Sequence, residues 1–441
     1  MGIGEEMVRR LDTLLPINFT THARLHGPLT AEALEIALRA AQARHPLLQV
    51  HIEDRGASAP WFRAGAPPLT GQIVEIGADT SDAALTEHLI RLTSTVLDTA
   101  RGPLLRVVWL RHTPDRSTLL LGFHHAIGDG KSGVFLLRDI VTAANAVLRG
   151  ESPWLPPLTP QGPLEARFPP PARLPGLSRP YLRAVARLAG GIVRRFPVTA
   201  LADEAPADFS QRRLAVVWSI HEPDEIAALE SAARWEKTTV HSALMAALVG
   251  AVRDELGVHD PAGVLCGTPV CMRDKVSPPL GEDVGFFVST VAAVHAVHAG
   301  QDFWALARSI RAGVLEAVAE GQHEDLALGH FAAALPAVRR FGVGPVAWVM
   351  EATRLPVTAA ITNIGRLTVD DRGPVRVHAS GFAAGPSILA PGVVTASTVN
   401  GRMVLTFCGY EPVLSAARLT RLGEGMRARW RAAMDGRPRP G

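Results

Sequence analysis

The stretch HHAIGDG, from His124 to Gly130, sets two adjacent histidines ahead of an Asp-Gly turn. Histidine titrates near neutrality, so one whose ring is held toward a cavity can take a proton from an attacking group and return it. An aspartate four residues on can sit across the turn from it, and Gly130 lets the backbone bend where a side chain would clash. These are the parts of a positioned general base. Other readings of the same letters compete. The histidines can be ordinary core residues beside a turn aspartate. A metal site lacks ligands, because neighbouring side chains on a strand point to opposite faces and no further cluster at ligand spacing completes a shell. A serine or cysteine nucleophile has no G-x-S-x-G elbow to stand on.

The elements around the motif make it a strand-to-helix corner. Residues 117–123 are a continuous apolar run, the pattern of a strand buried on both faces, and the apolar helical pattern SGVFLLRDIVTAANAVL follows the motif directly. Upstream, residues 20–25 read as a strand. A helix begins after Thr30 as N-cap, with Glu32 in its first turn and Leu34, Leu38 and Ala41 on one face, and ends before Pro46. A second helix covers residues 81–97 and another strand residues 104–111. Between residues 150 and 206 two Pro-rich stretches, PWLPPLTPQGP and FPPPARLPGL, bracket the basic piece RPYLRAVARLAGGIVRRFP. This segment reads as an inter-lobe connection with one helix, its basic face solvated in preference to a membrane or carrier-protein contact.

The pattern then restarts. A strand at 213–220 is followed by a helix at 223–233 with proline at its start, an apolar helix at 240–256 and a buried strand at 264–270. The loop CMRDKVSPPLGED, the strand VGFFVSTVAAV and the strand VTAAITNIG come next. VVTASTV and RMVLTFCGY, joined by Asn400-Gly401, read as a hairpin with a type I′ turn. Both halves mix strands and helices without an internal repeat at the level of letters.

Composition bounds the function. At 441 residues the chain exceeds a single core, and two domains of about 200 residues are expected. Hydrophobic residues at 47% and charged ones at 20% describe a folded chain. The formal net charge is +3, and nearly every basic residue is arginine, the lysines being Lys131, Lys237 and Lys275; GC-rich coding accounts for that bias as readily as anion recognition does. No basic stretch interleaved with aromatics suggests nucleic acid. Cys266, Cys271 and Cys408 fit neither a disulfide framework nor a zinc site, which points to a reducing cytoplasm. The start MGIGEEMVRR carries acidic residues where a signal peptide is basic, and Glu6 stands where a myristoylation signal has Ser or Thr. No apolar run reaches about 18 residues, so no transmembrane segment is expected.

HHAIGDG resembles the HHxxxDG signature of the condensation-domain superfamily. Its members include chloramphenicol-acetyltransferase-like enzymes, nonribosomal peptide condensation domains, wax ester synthases and polyketide-associated acyltransferases. The resemblance extends along nearly the whole chain outside the Pro-rich connection. INFTTHARLHGPLTAEALEIALRAAQARHPLL is similar to the family's opening strand and helix with its RHPLL phrase, and TTVHSALMAALVGAV to its C-lobe helix. TPVCMRDKVSPPLGEDVGFFVST is similar to its strand, arginine loop and GFF strand, and ITNIG to its late Ser-Asn-x-Gly phrase. Ser289 replaces the Asn usual in peptide condensation domains. PPLGEDVGFFVS is closer to the polyketide-associated and alcohol acyltransferases, and the opening motifs and late phrase depart from those of wax ester synthases.

The resemblance implies an α/β (α+β) fold of two chloramphenicol-acetyltransferase-like lobes, each a mixed sheet flanked by helices, in a V with a central tunnel. Residues 1–150 would form the lobe carrying the motif, 151–210 the linker and 211–441 the second lobe, with a monomer expected. It further implies that His125 is the base, deprotonating an acceptor hydroxyl or amine as that attacks an acyl thioester and reprotonating the departing thiolate. His124 and Asp129 would be structural, Asp129 paired with an arginine, for which Arg273 is the candidate. The Gly130 amide, Ser289 and Asn363, in that order, are candidate donors to the tetrahedral oxyanion, Asn363 being equally a strand-end turn residue. No metal and no permanently bound cofactor is expected. With no Gly-rich phosphate loop, the donor, acyl-coenzyme A or a phosphopantetheinyl acyl carrier protein, would lie along the tunnel. The expected reaction is ester formation on an alcohol of a lipid or polyketide type; a free-standing enzyme forming an amide and a non-catalytic carrier-docking module are the alternatives.

Overall fold

The computed structural model describes residues 1–56, 58–77, 81–168, 201, 203–256, 261–325, 331–345, 347, 357–369, 373–386 and 390–435. The helix expected within the Pro-rich connection, at residues 179–197, lies outside them. The first half runs α1 (Ile3–Leu11), β1 (Asn18–His26), α2 (Ala31–Arg44), β2 (Val50–Glu53), β3 (Trp61–Ala64), β4 (Gly71–Glu75), α3 (Ser81–Ser94), β5 (Leu105–Thr113), β6 (Arg116–His124) and α4 (Gly130–Leu148). The second runs β7 (Arg213–His221), α5 (Pro223–Trp235), α6 (Val240–Leu256), β8 (Ala262–Cys271), β9 (Val288–Val297), α7 (Phe303–Ala319), α8 (Gln322–Asp325), α9 (Phe331–Phe341), β10 (Val357–Leu367), β11 (Arg376–Ala384), β12 (Gly392–Val399), β13 (Arg402–Glu411) and α10 (Ala416–Met434).

Local chemistry accounts for many of these boundaries. The Thr30 hydroxyl accepts from the Ala33 amide at 3.1 Å and starts α2. Pro223 occupies the first turn of α5, where its missing N–H costs nothing. Asn400 and Gly401 both have positive φ, 49° and 78°, and Val399 pairs with Arg402, which is the two-residue turn the Asn-Gly letters require.

Two mixed sheets result, of order β11-β1-β6-β5-β4 and β7-β13-β12-β10-β8-β9. In the first only β4 and β5 run parallel, and in the second β8, β10 and β12 do. Leu34, Leu38, Leu136 and Ile140 of α2 and α4 pack on one face of the first sheet. Leu85, Leu89 and Leu92 of α3 fill its other face, where they meet Val216 of β7 and Cys408 of β13. One apolar layer thus joins the two sheets. The far face of the second sheet is covered by α5, α6, α7 and α10, with Trp304 and Trp430 fully buried. Although β11 follows β10 in the chain, it hydrogen-bonds along β1 in the first sheet, from Phe19–Ala384 to His26–Arg376. The sheets and the chain order therefore part company at this strand, which stitches the two halves.

Candidate functional site

The corner forms where β6 stops. Its neighbours β1 and β5 hold it in register to His124, which pairs with Asn18, and a single 3₁₀ turn, His125–Ile127, leads through Gly128 to Asp129, the N-cap of α4. Within the turn the ring of His125 is oriented by its own backbone neighbourhood. Nδ1 lies 2.8 Å from the Gly128 carbonyl; a carbonyl only accepts, so Nδ1 carries the proton and Nε2 presents a lone pair. Phe19, itself stacked on Phe123 with ring centroids 4.7 Å apart, meets the imidazole edge-on at 5.1 Å, and Phe286 meets it at 5.4 Å. Burial among these groups pulls the imidazole below its ordinary value of 6.5, partly offset by the Asp129 carboxylate and the Gly128 carbonyl. His125 is therefore neutral at pH 7.

Both carboxylate oxygens of Asp129 are engaged by other partners. Its Oδ1 accepts from the Ser132 amide and hydroxyl, both at 2.9 Å, and its Oδ2 from Arg273 Nη1 at 2.8 Å and the Phe287 amide at 3.1 Å. Burial would raise this carboxyl, but the Arg273 charge and these donors hold it below the usual carboxylate value. Arg273 in turn donates from Nη2 to Ser132 Oγ and to the Asp283 carbonyl, at 3.0 and 2.9 Å, and lies between the rings of Phe135 and Phe287. The loop from 272 to 287, which belongs to the second sheet, is thereby clamped on α4. A second clamp, Arg138 Nη1 to Glu282 at 2.6 Å, fixes the same loop further along the helix. His124 is fully buried; its Nδ1 accepts from the Ala126 amide at 3.1 Å, and its Nε2 faces Asp12 at 3.7 Å.

The three expected oxyanion donors are placed differently. Gly130 opens α4, and the first amide of a helix has no intrahelical acceptor. A Cβ there would stand 2.8 Å from Ile364 Cγ2 of β10, so only glycine lets the helix start approach that strand. The Ser289 hydroxyl on β9 donates to the His323 carbonyl at 2.5 Å, which commits its one proton. Asn363 accepts from the Gly365 amide at 2.9 Å and lines a cleft of about 300 Å³ with Arg234, Thr239, Arg366 and Thr398, while its neighbour Ile364 is the residue at Gly130. Asn363 is thus a strand residue where β10 breaks register, lining that cleft. Sequence reasoning missed Ser132, Phe19 and Phe286. Ser132 was within reach of it, because Asp-x-x-Ser at a helix start is a capping pattern. Among the described residues no group of three or more His, Cys, Asp or Glu side chains could hold a metal ion, and no helix is long and apolar enough to cross a membrane.

Two family profiles match the chain, the condensation domain over residues 17–161 and the phthiocerol/phthiodiolone dimycocerosyl transferase C-terminus over residues 220–409. Among curated proteins, a linear gramicidin synthase of Brevibacillus parabrevis is 28% identical over 364 residues, a match that takes in 79% of this chain and 4% of that protein. The chain spans a small part of the length of the curated relatives it matches first. Among solved structures, the first condensation domain of the calcium-dependent antibiotic synthetase superposes with a TM-score of 0.72 at 17% identity, covering 98% of this chain and 95% of that one. Polyketide synthase associated protein 5 from Mycobacterium tuberculosis superposes with a TM-score of 0.65 at 15% identity, covering 98% and 97%. At these identities the superpositions speak for the fold, that of condensation domains with two chloramphenicol-acetyltransferase-like lobes.

Proposed function

The chain belongs to the condensation-domain superfamily, and from that premise we propose that it is an acyltransferase that moves an acyl group from a coenzyme A or carrier-protein thioester to an acceptor hydroxyl. The observation that carries this reading is the tautomer of His125. With Nδ1 donating to Gly128 and burial holding the ring neutral, Nε2 is a ready proton acceptor beside a corner that stays fixed without it.

Nε2 takes the proton as the acceptor oxygen bonds to the thioester carbon, leaving imidazolium and a tetrahedral oxyanion. The Gly130 amide at the positive end of α4 supports that negative charge. Collapse of the intermediate re-forms the carbonyl and breaks the carbon–sulfur bond, and the thiolate takes the proton back from Nε2. No covalent acyl-protein intermediate is required. The match of the second half to the dimycocerosyl transferase C-terminus favours ester over amide formation. Amide formation is the second reading, favoured by the peptide synthase among the relatives.

The test is thiol release from a panel of acyl-coenzyme A and acyl-carrier donors with long-chain alcohols and amines, on wild type and His125→Ala. Release that needs both an acceptor and His125 is expected, with an alcohol as the productive acceptor. Release with amines alone would make it the amide-forming enzyme. No release from any donor, with the carrier still bound, would make it a docking module.

A further inference from the structure

Phe286 contacts the imidazole of His125 from outside the corner, and its own position is set by a third element. Helix α1 lies against it so closely that a Cβ on Gly4 would stand 2.6 Å from Phe286 Cε1 and 3.0 Å from Cδ1. Gly4 therefore acts as a notch into which the ring fits. The helix carrying the notch is fixed independently of the ring. Glu6 pairs with Arg339 of α9, Nε to Oε1 at 2.9 Å, and with Arg10 at 2.8 Å, and Met7 packs in an apolar cluster with Leu335 and Val338 of the same helix. The backbone beside Phe286 is fixed as well, because the next residue gives its amide to Asp129 and its ring to Arg273. Phe286 is thus set by α1 against its ring and by the anchored backbone of the next residue, with the His125 ring centroid 5.4 Å away.

We propose that Phe286, seated in the Gly4 notch of α1, is a positioning residue for His125, fixing the plane of the imidazole against Phe19 and bounding the space open to the acceptor beside it. The proposal rests on His125 being the base of the reaction above. A bulkier α1 pushes the ring, and a smaller ring frees the imidazole and enlarges the space around it. Phe19 cannot substitute for Phe286, because it is already stacked on Phe123.

The experiment is a size-complementation cycle in the full chain, with Gly4→Ala, Phe286→Leu and the two combined. Leucine lacks the ε carbon that the new Cβ would meet at 2.6 Å. Gly4→Ala should lower kcat/KM by roughly tenfold or more, the order expected when a catalytic group is displaced by less than 1 Å. Gly4→Ala added to Phe286→Leu should cost less than about threefold. Phe286→Leu alone should shift preference toward branched acceptors and move the acid limb of the kcat/KM profile upward, as water reaches the imidazole.

The second readout does not depend on turnover: the ring carbon resonance of His125, assigned by its loss in His125→Gln, is titrated in each variant. Gly4→Ala should change that titration when Phe286 is present and leave it unchanged when Phe286→Leu has already been made. Equal effects of Gly4→Ala in both backgrounds, on the titration and on kcat/KM, would overturn the proposal. A titration that follows the cycle in a protein without turnover on any substrate would overturn the acyltransfer reading and leave the contact standing.

Discussion

Asp129 and Arg273 stand 144 positions apart in the chain and 2.8 Å apart in the fold, both buried. The pair is the point where the loop of the second sheet is fastened to the corner of the first. Taking one partner away leaves the other charge buried without compensation, which costs on the order of 3–5 kcal/mol. Asp129→Asn should therefore lower the urea midpoint at pH 7 by about that amount of stability. Asp129→Asn with Arg273→Met should recover part of the loss, since the guanidinium no longer needs a counter-charge. A wild-type midpoint in the single variant would remove Asp129 from this structural role.

His125 itself carries no such burden, since its one hydrogen bond is to a neighbouring carbonyl. His125→Ala should reduce acyl transfer by about 10² to 10⁴-fold, the usual worth of a general base, with a loss of stability limited to the packing of the imidazole on Phe19 and Phe286. Because burial holds the imidazole below 6.5, protonation removes the base only on the acid side of that value. The kcat/KM profile should be flat from pH 7 upward through the range where the acceptor is unchanged and fall only on the acid side of 6.5, the ordinary imidazole value. A profile still rising between pH 7 and 8 would contradict a neutral His125.

The corner was legible because it is local. An apolar run, a motif and a helical pattern follow one another without a break, and the turn chemistry of seven residues leaves few ways to join them. What closes over the corner was not. Phe286 reaches His125 only once α1 and the loop from 272 to 287 are both in place, and no spacing in the letters encodes the Gly4 notch. Ser289 has the right chemistry, but its proton is taken by a carbonyl on α8, 34 residues away. Asn363 stands where β10 breaks register, between Asn363 and Arg366, an irregularity its letters do not announce, and it is the next residue, Ile364, that lies at Gly130. That β11 joins the first sheet depends on long-range pairing, which the letters RVHASGFAA do not reveal.

Buried histidines outside the corner make the fold acid-sensitive, His22 and His295 among them. His22 on β1 and His295 on β9 are 2% and 6% exposed, and burial pushes them down to about 3 and about 4. Their folded values lie below the unfolded value of about 6.5, so the unfolded chain takes up protons first. The stability they help maintain is complete above pH 6.5 and is lost as pH falls toward 4, at about 1.4 kcal/mol per pH unit for each histidine. Urea midpoints measured between pH 7 and 4.5 should fall with at least this slope. His295→Gln should flatten the slope by about half of the pair's share; an unchanged slope would mean that His295 protonates normally in the fold.

Ser132 is the residue through which these parts meet. Its hydroxyl accepts from the Gly285 amide at 3.1 Å and from Arg273 at 3.0 Å, and lies 2.9 Å from Asp129 Oδ1, with no exposure to solvent. Ser132→Ala keeps the backbone cap but strands the Gly285 amide and one guanidinium donor, a cost of about 1–3 kcal/mol. Because Gly285 immediately precedes Phe286, the lost anchor also loosens the ring beside His125. Turnover should therefore fall further than the stability loss alone requires, measured at a temperature where both proteins remain folded. Thermal unfolding and kcat on the same preparations decide the matter. A stable Ser132→Ala protein with wild-type kcat would show that the corner, once clamped by Asp129 and Arg273, holds Phe286 without help from the serine.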